Sequence, residues 1–332
     1  MSLPELGRAH RTASPEAVFA SLDLAVRRRL PGRLQGEHRG LRLGPGTEPE
    51  EVTRYRPGED DVRRIDWNVT ARSGAAHVWR STAEHELETW VLVDDTASMA
   101  FGTAELEKRD VAAGAVAAMG MLTAGPGNRM GTATLGAGRS ARAGGPGGLR
   151  WSAPLAPRAA ALRALRDTER PDDGPAGVDL AAALSAFAAR RRRTGLRVVV
   201  TDFVEADGSP ARPFAWERPL RRLAAAHQTL VVEVVDPREL ALPDVGAITL
   251  VDPESGRRRE VWTGDRELRQ RYAVAAAAHR AEVAAAVRAS RAGHVVLRTD
   301  RDWVRDLARH VQGQRADRRT PLPAGSAAGG AR

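Results

Sequence analysis

Cysteine is absent from this chain, lysine occurs once, aromatic residues make up 4% of it, and no apolar run is long enough for a membrane span. Without cysteine there is no disulfide framework, zinc-thiolate site, iron–sulfur cluster or thiol nucleophile, which fits a reducing compartment. Residues Met1 to Leu30 scatter Glu5, Arg8, Arg11, Glu16, Asp23 and Arg27 among isolated apolar positions, so they hold no apolar core of a secretory leader. The longest weakly polar run, Val111 to Ala124, is rich in Ala and Gly and shorter than the roughly 18 apolar residues that cross a bilayer. The expectation is a cytoplasmic protein with no integral membrane segment.

What is present is an ordinary globular mixture, 332 residues with 42% hydrophobic and 28% charged, enough for one large domain or two small ones. The formal charge of +9 invites a nucleic-acid reading. Lys108 is the only lysine, however, so nearly all positive charge is arginine in a chain crowded with Ala and Gly, a bias that GC-rich coding also produces. The densest basic run, Arg190 to Arg193, follows a helical pattern and precedes a buried-looking strand, where cations suit a helix C-terminus. Few aromatics leave few stacking platforms for single strands. An arginine-rich nucleic-acid-binding protein is therefore a disfavoured alternative.

From Leu87 onward short apolar runs alternate with helical patterns, the signature of βαβ units in an α/β fold with a mainly parallel sheet flanked by helices. The strands are read at Trp90 to Val93, Arg129 to Leu135, Leu196 to Thr201, Thr229 to Val235 and His294 to Arg298; their Val/Leu continuity suits burial on both faces. Leu180, Leu184 and Phe187 recur at helical spacing, as do Val304, Leu307, Ala308 and Val311. A long helix, Glu267 to Ser290, places Leu268, Tyr272, Ala276, His279, Val283 and Val287 on one face, which makes His279 a packed core-edge residue. Ala247 to Val251 and Arg258 to Trp262 flank Pro253-Glu254-Ser255-Gly256 and read as an edge hairpin. The division is 1–31 as a helical lead-in, 32–86 as a small β-rich subdomain, 87–311 as the α/β domain and 312–332 as a disordered tail, with a flexible loop from Gly138 to Gly148.

In open α/β sheets ligands bind where parallel strands end at a switch in connection direction. Val91-Leu92-Val93-Asp94-Asp95-Thr96-Ala97-Ser98-Met99 is such a place: Asp94 closes an apolar strand, and Thr96 and Ser98 follow at alternate positions before a helix read from Glu105 to Ala124. Val198-Val199-Val200-Thr201-Asp202 supplies a second strand-end carboxylate. Such hard oxygens suit magnesium. An Asp-x-Thr-x-Ser turn also occurs as a simple helix cap, and that metal-free version stands beside the first. The surrounding loops, with Asp95, Met99, Phe101, Asp179 and the Phe203-Val204-Glu205 segment, are then candidate partner contacts.

The Asp94, Thr96, Ser98 and Asp202 pattern resembles the metal-ion-dependent adhesion site of von Willebrand factor A-type domains. The resemblance implies a magnesium ion held by those four residues, with an acidic partner side chain filling an open position. It is partial: the residue aligned with that site's usual Thr is Val178, which cannot ligate a cation. Upstream, Arg54-Tyr55-Arg56-Pro57-Gly58-Glu59-Asp60-Asp61-Val62-Arg63-Arg64-Ile65-Asp66-Trp67, then Thr70-Ala71-Arg72, resembles the signature of the family called domain of unknown function 58. That resemblance covers roughly Gly32 to Val311 and implies a von Willebrand A-like domain working beside a MoxR-type AAA+ ATPase. Many members of that family begin with membrane helices, from which this chain departs. In the signature itself, Pro57-Gly58 favours a tight turn, Asp61, Arg64, Asp66 and Arg72 are read as structural ion pairs, and Trp67 as the anchor of the turn.

An enzyme needs machinery, and the sequence has no Gly-x-x-x-x-Gly-Lys loop, Gly-x-Ser-x-Gly elbow or His-Glu-x-x-His pair. A magnesium-dependent phosphate-ester hydrolase built on Asp94, Asp95 and Asp202 is the alternative, but no base or lysine accompanies them in the sequence. The expected function is non-enzymatic: an adaptor that binds partner proteins through the corner after Asp94.

Overall fold

The computed structural model describes residues 14–29, 51–57, 60–80, 87–104, 106–136, 148–168, 179–190, 195–204, 212–251 and 257–319. In chain order the elements are α1 (Pro15–Arg29), β1 (Glu51–Arg54), α2 (Trp67–Ser73), β2 (His77–Arg80), β3 (Glu88–Asp95), α3 (Lys108–Leu122), β4 (Arg129–Gly136), β5 (Arg150–Leu155), α4 (Pro157–Thr168) and α5 (Leu180–Ala189). They continue with β6 (Leu196–Thr201), α6 (Glu217–Ala226), β7 (Gln228–Val235), α7 (Pro237–Leu240), β8 (Ala247–Val251), β9 (Arg258–Trp262), α8 (Arg266–Ala289), β10 (Gly293–Arg298) and α9 (Trp303–Arg319).

The main sheet has six strands in the order β10-β7-β6-β3-β4-β5. All neighbours run parallel except β4 and β5. The chain leaves β3 toward β4 on one side and returns to the other side as β6. The crevice between the C-terminal ends of β3 and β6 is therefore the switch point of the sheet.

Alternation along each strand divides the core in two, because successive side chains of a strand point to opposite faces. Val91 and Val93 of β3, Val198 and Val200 of β6, and Val232 and Val234 of β7 join α1, α3, α4 and α9 in one cluster. Trp90 and Leu92 of β3, Val199 and Val231 face α5, α6 and α8 in the other. Both faces are thus covered, which explains the continuous apolar strands. Each fully buried Val or Leu contributes about 1.5–3 kcal/mol relative to exposure, so Val91→Asp would remove one such term and bury an unpaired charge in its place. Helix α3 is buried along nearly its whole length. Small residues make that possible: a Cβ on Gly114 would lie 2.6 Å from the Trp303 ring.

Most expected elements are observed within a residue or two. The hairpin β8–β9 pairs from Ala247↔Trp262 to Val251↔Arg258. The inward face expected of α8 is observed too: Val283 and Val287 are buried, Leu268, Tyr272, Ala276 and His279 half-buried. His279 packs edge-on to Phe214 at 5.8 Å between ring centroids. Several elements escaped the pattern, among them β5, α4 and α6. β5 is a half-exposed edge strand that contains Pro154, tolerable at an edge because proline lacks a ladder donor. α4 buries mainly Ala160, Ala161 and Leu165, and α6 buries Leu220 and Leu223, apolar stripes too small to stand out. Helix α1 belongs to the main core through Val18, Leu22 and Val26. Helix α9 extends beyond Val311 to Arg319, into the stretch read as a tail; residues 320–332 and the loop 137–147 lie outside the described residues.

In the upstream signature β1 and β2 pair antiparallel on either side of α2, and Ile65 bridges to Val78. Its carboxylates act on the backbone. Asp60 accepts from the Arg56 N–H at 2.9 Å, Asp61 from Arg63 N–H at 2.9 Å, and Asp66 caps α2 by accepting from Asn68 and Val69. Trp67 does not anchor the turn as expected, because it begins α2 on the solvent side and is 70% exposed. Tyr55 donates its backbone N–H to Ala76, Arg72 is exposed in the last turn of α2, and Gly58 and the Arg64 side chain lie outside the described residues.

Candidate functional site

At the switch point β3 delivers Asp94, whose side chain is buried. Its Oδ1 accepts from the Thr96 N–H at 3.1 Å and the Thr96 hydroxyl at 2.8 Å, and its Oδ2 accepts from the Thr201 hydroxyl at 2.7 Å. Ser98 Oγ lies 3.1 Å from Thr96 Oγ1. Since Thr96 gives its proton to Asp94, Ser98 is the donor in that pair. The sequence reading placed Asp94, Thr96, Ser98 and Asp202 together; the parallel register Val93↔Val200 brings the two strand ends side by side. Burial first, and the neighbouring Asp202 charge second, push the Asp94 carboxyl up to about 7, against the three donors that favour its charged form.

Asp202 is also buried and spends one oxygen on the backbone, accepting from the Val204 N–H at 2.9 Å. Its other oxygen meets the ammonium of Lys108 at 2.7 Å, and the same ammonium reaches Glu239 at 2.5 Å. Lys108 is 1% exposed and sits at the start of α3, 94 positions from Asp202 in sequence. Burial alone would discharge it, but the Asp202 and Glu239 carboxylates outweigh that cost and raise its pKa above the usual lysine value. The ring of Phe101 lies over the ammonium at 5.8 Å to the centroid, within the range of a cation–π contact. The expectation that no lysine accompanies the aspartates is thus corrected: the first turn of α3 carries it there. Its signal was in the composition. Lys108 is the one lysine of an arginine-rich chain, which is the feature that could have drawn attention to it.

A second polar knot lies beside the first, at the end of β7. Asp236 accepts from the Thr103 N–H at 2.9 Å, the Thr103 hydroxyl at 2.6 Å, the Arg238 N–H at 2.9 Å and the Thr299 hydroxyl at 2.8 Å. Burial opposes its charge, but the Thr103, Arg238 and Thr299 donors prevail and hold its pKa below the usual range. Glu239 joins the two knots, accepting the Asp236 N–H at 2.8 Å with one oxygen and the Lys108 ammonium with the other. Further along, Arg280 of α8 donates to the Asp202 carbonyl at 3.1 Å and pairs with Glu233, which His294 meets at 2.7 Å. Burial works against the Glu233 charge, yet His294 and Arg280 keep its pKa below the usual carboxylate value. Thr201, Asp236, Glu239 and Arg280 were not singled out from the sequence, because their roles depend on which strands become neighbours.

The expected partner-binding residues divide. Met99 and Phe203 are corrected to core residues, at 0% and 2% exposure. Met99 turns under the short helix Ala97–Ala100. Phe203 adopts a left-handed backbone, φ 57°, which directs its ring against Trp216 at 4.5 Å and leaves Val204 outside. Asp179 caps α5 by accepting from the Ala182 N–H at 2.6 Å. Asp95 is half-buried and lines a small cavity with Val93, Ala113 and Thr134 on the α3 face. Phe101 and Val204 are exposed, at 39% and 41%.

A divalent ion in this corner would need oxygen lone pairs turned toward it. Instead both oxygens of Asp202 are taken up by donors, the Val204 N–H and the Lys108 ammonium, and both oxygens of Asp94 accept hydrogen bonds. Among the described residues no group of three or more His, Asp or Glu side chains is arranged to hold a metal. The residues present do not fit a magnesium ion. Val178 lies outside the described residues. The basic run divides as well: Arg190 stacks over the Trp90 and Trp151 rings at 4.6 and 4.5 Å, and Arg191 to Arg193 are outside the described residues.

The family model described as protein of unknown function DUF58 matches residues 51–282, which takes in the signature turn and both strand-end aspartates. The chain belongs to the DUF58 family. Among similar proteins, an uncharacterized protein of Mycobacterium bovis and one of Mycobacterium tuberculosis are each 44% identical over 301 residues, 90% of this chain and 89% of theirs. Two solved structures overlap this DUF58 chain more distantly. A conserved hypothetical protein, BatB from Bacteroides thetaiotaomicron, has 11% identity and a TM-score of 0.41, covering 69% of this chain and 99% of that one. A von Willebrand factor type A protein from Catenulispora acidiphila has 13% identity and a TM-score of 0.33, covering 70% and 43%. The α/β layout of this DUF58 chain rests on its own strand order. Among the described residues no helix is long and apolar enough to cross a membrane.

Proposed function

We propose that this DUF58 protein is a non-catalytic adaptor that docks a protein partner on the rim of the β3/β6 corner. In this reading the partner is a MoxR-type AAA+ ATPase and the work is assembly or maturation of a protein complex. One observation carries it. The polar groups at the switch point satisfy one another, while Phe101 and Val204 stand exposed around them. A saturated polar floor holds the rim rigid, and the exposed apolar side chains supply area for a partner to bury. Asp95 and Asp179, at the neighbouring strand and helix ends, would contribute polar contacts at the edge.

The test is affinity capture from the native cytoplasm with the full chain as bait. A MoxR-like ATPase should be recovered with the wild type and reduced about tenfold or more with Val204→Asp, which places a charge in the apolar rim. Recovery of no such ATPase, or equal recovery with both baits, overturns the docking reading.

A further inference from the structure

The two knots at the strand ends gather the carboxylates of Asp94, Asp202, Asp236 and Glu239, and the buried Lys108 ammonium lies between two of them, while Arg280 reaches Glu239 from α8 at 3.6 Å. We propose that the Lys108 ammonium is the resident cation of the β3/β6 corner, and that it makes the corner independent of divalent metal. The inference deepens the docking reading of the same rim, but its test uses no partner, so the two can fail separately.

An ammonium has three N–H groups around a compact charge. Here it contacts Asp202 at 2.7 Å and Glu239 at 2.5 Å, and lies under the Phe101 ring. A dication beside Asp202 would have to displace this charge or share a carboxylate with it, at a separation where like charges repel strongly in a buried setting. The position also explains the choice of residue. A planar guanidinium is larger and presents its donors in a fixed fork, which two carboxylates from different elements, Asp202 after β6 and Glu239 in α7, do not match. The rest of the positive charge of this chain is arginine, 51 Lys and Arg together with a single Lys. Because the cation is covalently part of α3, it also locks that helix to the ends of β6 and β7. A soluble ion could leave; this one cannot.

The experiment uses the full chain, stripped with a chelator and returned to metal-free buffer, and titrated with Mg2+ and Mn2+. In the wild type, midpoint temperature should move by less than about 1 °C up to millimolar cation, and paramagnetic Mn2+ should show no bound ion per chain. In Lys108→Ala the vacated charge and volume should let a cation in, with a concentration-dependent rise of several degrees. Lys108→Arg should not restore the wild-type stability. Saturable binding of one Mn2+ by the wild type that disappears in Asp94→Asn overturns the proposal, and this arm needs no lysine variant to fold. A Lys108→Ala chain that folds and ignores both cations overturns it as well, since the lysine would then not be what excludes the metal.

Discussion

Asp94 and Asp236 end neighbouring parts of the same sheet, both are buried, and both accept hydrogen bonds, yet the first is pushed up to about 7 and the second held down. Desolvation opposes the charge at each. Asp236 collects four donors, two of them from Thr103. Asp94 collects three and has the Asp202 carboxylate beside it. Burial is the leading cause at both; at Asp94 the Asp202 charge adds to it and fewer donors oppose it, so the balance falls the other way. Burial of a strand-end aspartate therefore says little about its charge until its partners are counted. Asp236 is a fixed anion that ties the loop at Thr103 and the β10 end at Thr299 to β7, whereas Asp94 is a weak acid on a floor stabilised by the Lys108 charge.

The largest effect on this comparison should come from removing the shared cation. Lys108→Met leaves the buried Asp202 and the Glu239 carboxylate without it, and should cost about 3–5 kcal/mol in urea denaturation at pH 7; a loss below 1 kcal/mol would mean the carboxylates find other partners. Next is Asp236→Asn. Its amide can accept on one side only, either from the Thr103 N–H and the Thr299 hydroxyl or from the Thr103 hydroxyl and the Arg238 N–H, so about 2–3 kcal/mol should be lost at pH 7. The folded pKa of Asp236 is depressed, so its contribution is present above the unfolded value near 4 and is lost as pH falls through the folded value. The gap between wild type and variant should accordingly close in acid.

Asp94→Asn should have the opposite sign. With a folded pKa raised to about 7, the folded state holds a proton that the unfolded chain releases near pH 4, so the wild type loses stability as pH rises from about 4 to 7 and then levels. The asparagine chain should lack that decline and be more stable than wild type by about 2 kcal/mol at pH 8, less than the roughly 4 kcal/mol of the shift because its amide gives up one acceptor side of Asp94. Parallel pH profiles for the two chains would contradict the raised value. Thr201→Val is the smallest change. It removes one donor from Asp94 and the acceptor of the Phe203 N–H, and should cost about 1 kcal/mol at pH 7 while shifting the pH-dependent decline upward.

Much of this was legible in the chain. Strand-forming apolar runs and the period of α8 reflect local steric and burial rules, so they could be read residue by residue. Asp94, Thr96 and Ser98 lie within five positions, and their mutual hydrogen bonds are local turn chemistry. The exposed Trp67 and the buried Met99 and Phe203 could not be assigned in the same way. An apolar residue in a loop faces either way until the neighbouring helices are in place, and at Phe203 a single left-handed backbone decides which of two adjacent side chains goes in.

The sequence by itself determined the α/β class, the position of the corner and the chemistry of its near-neighbour residues, because each depends on side chains a few positions apart. Only the tertiary structure decided the charge state of that corner. Lys108 reaches Asp202 across 94 residues and Glu239 across 131, and such pairings follow from strand order and helix packing. Local pattern carries no record of them until the sheet is assembled.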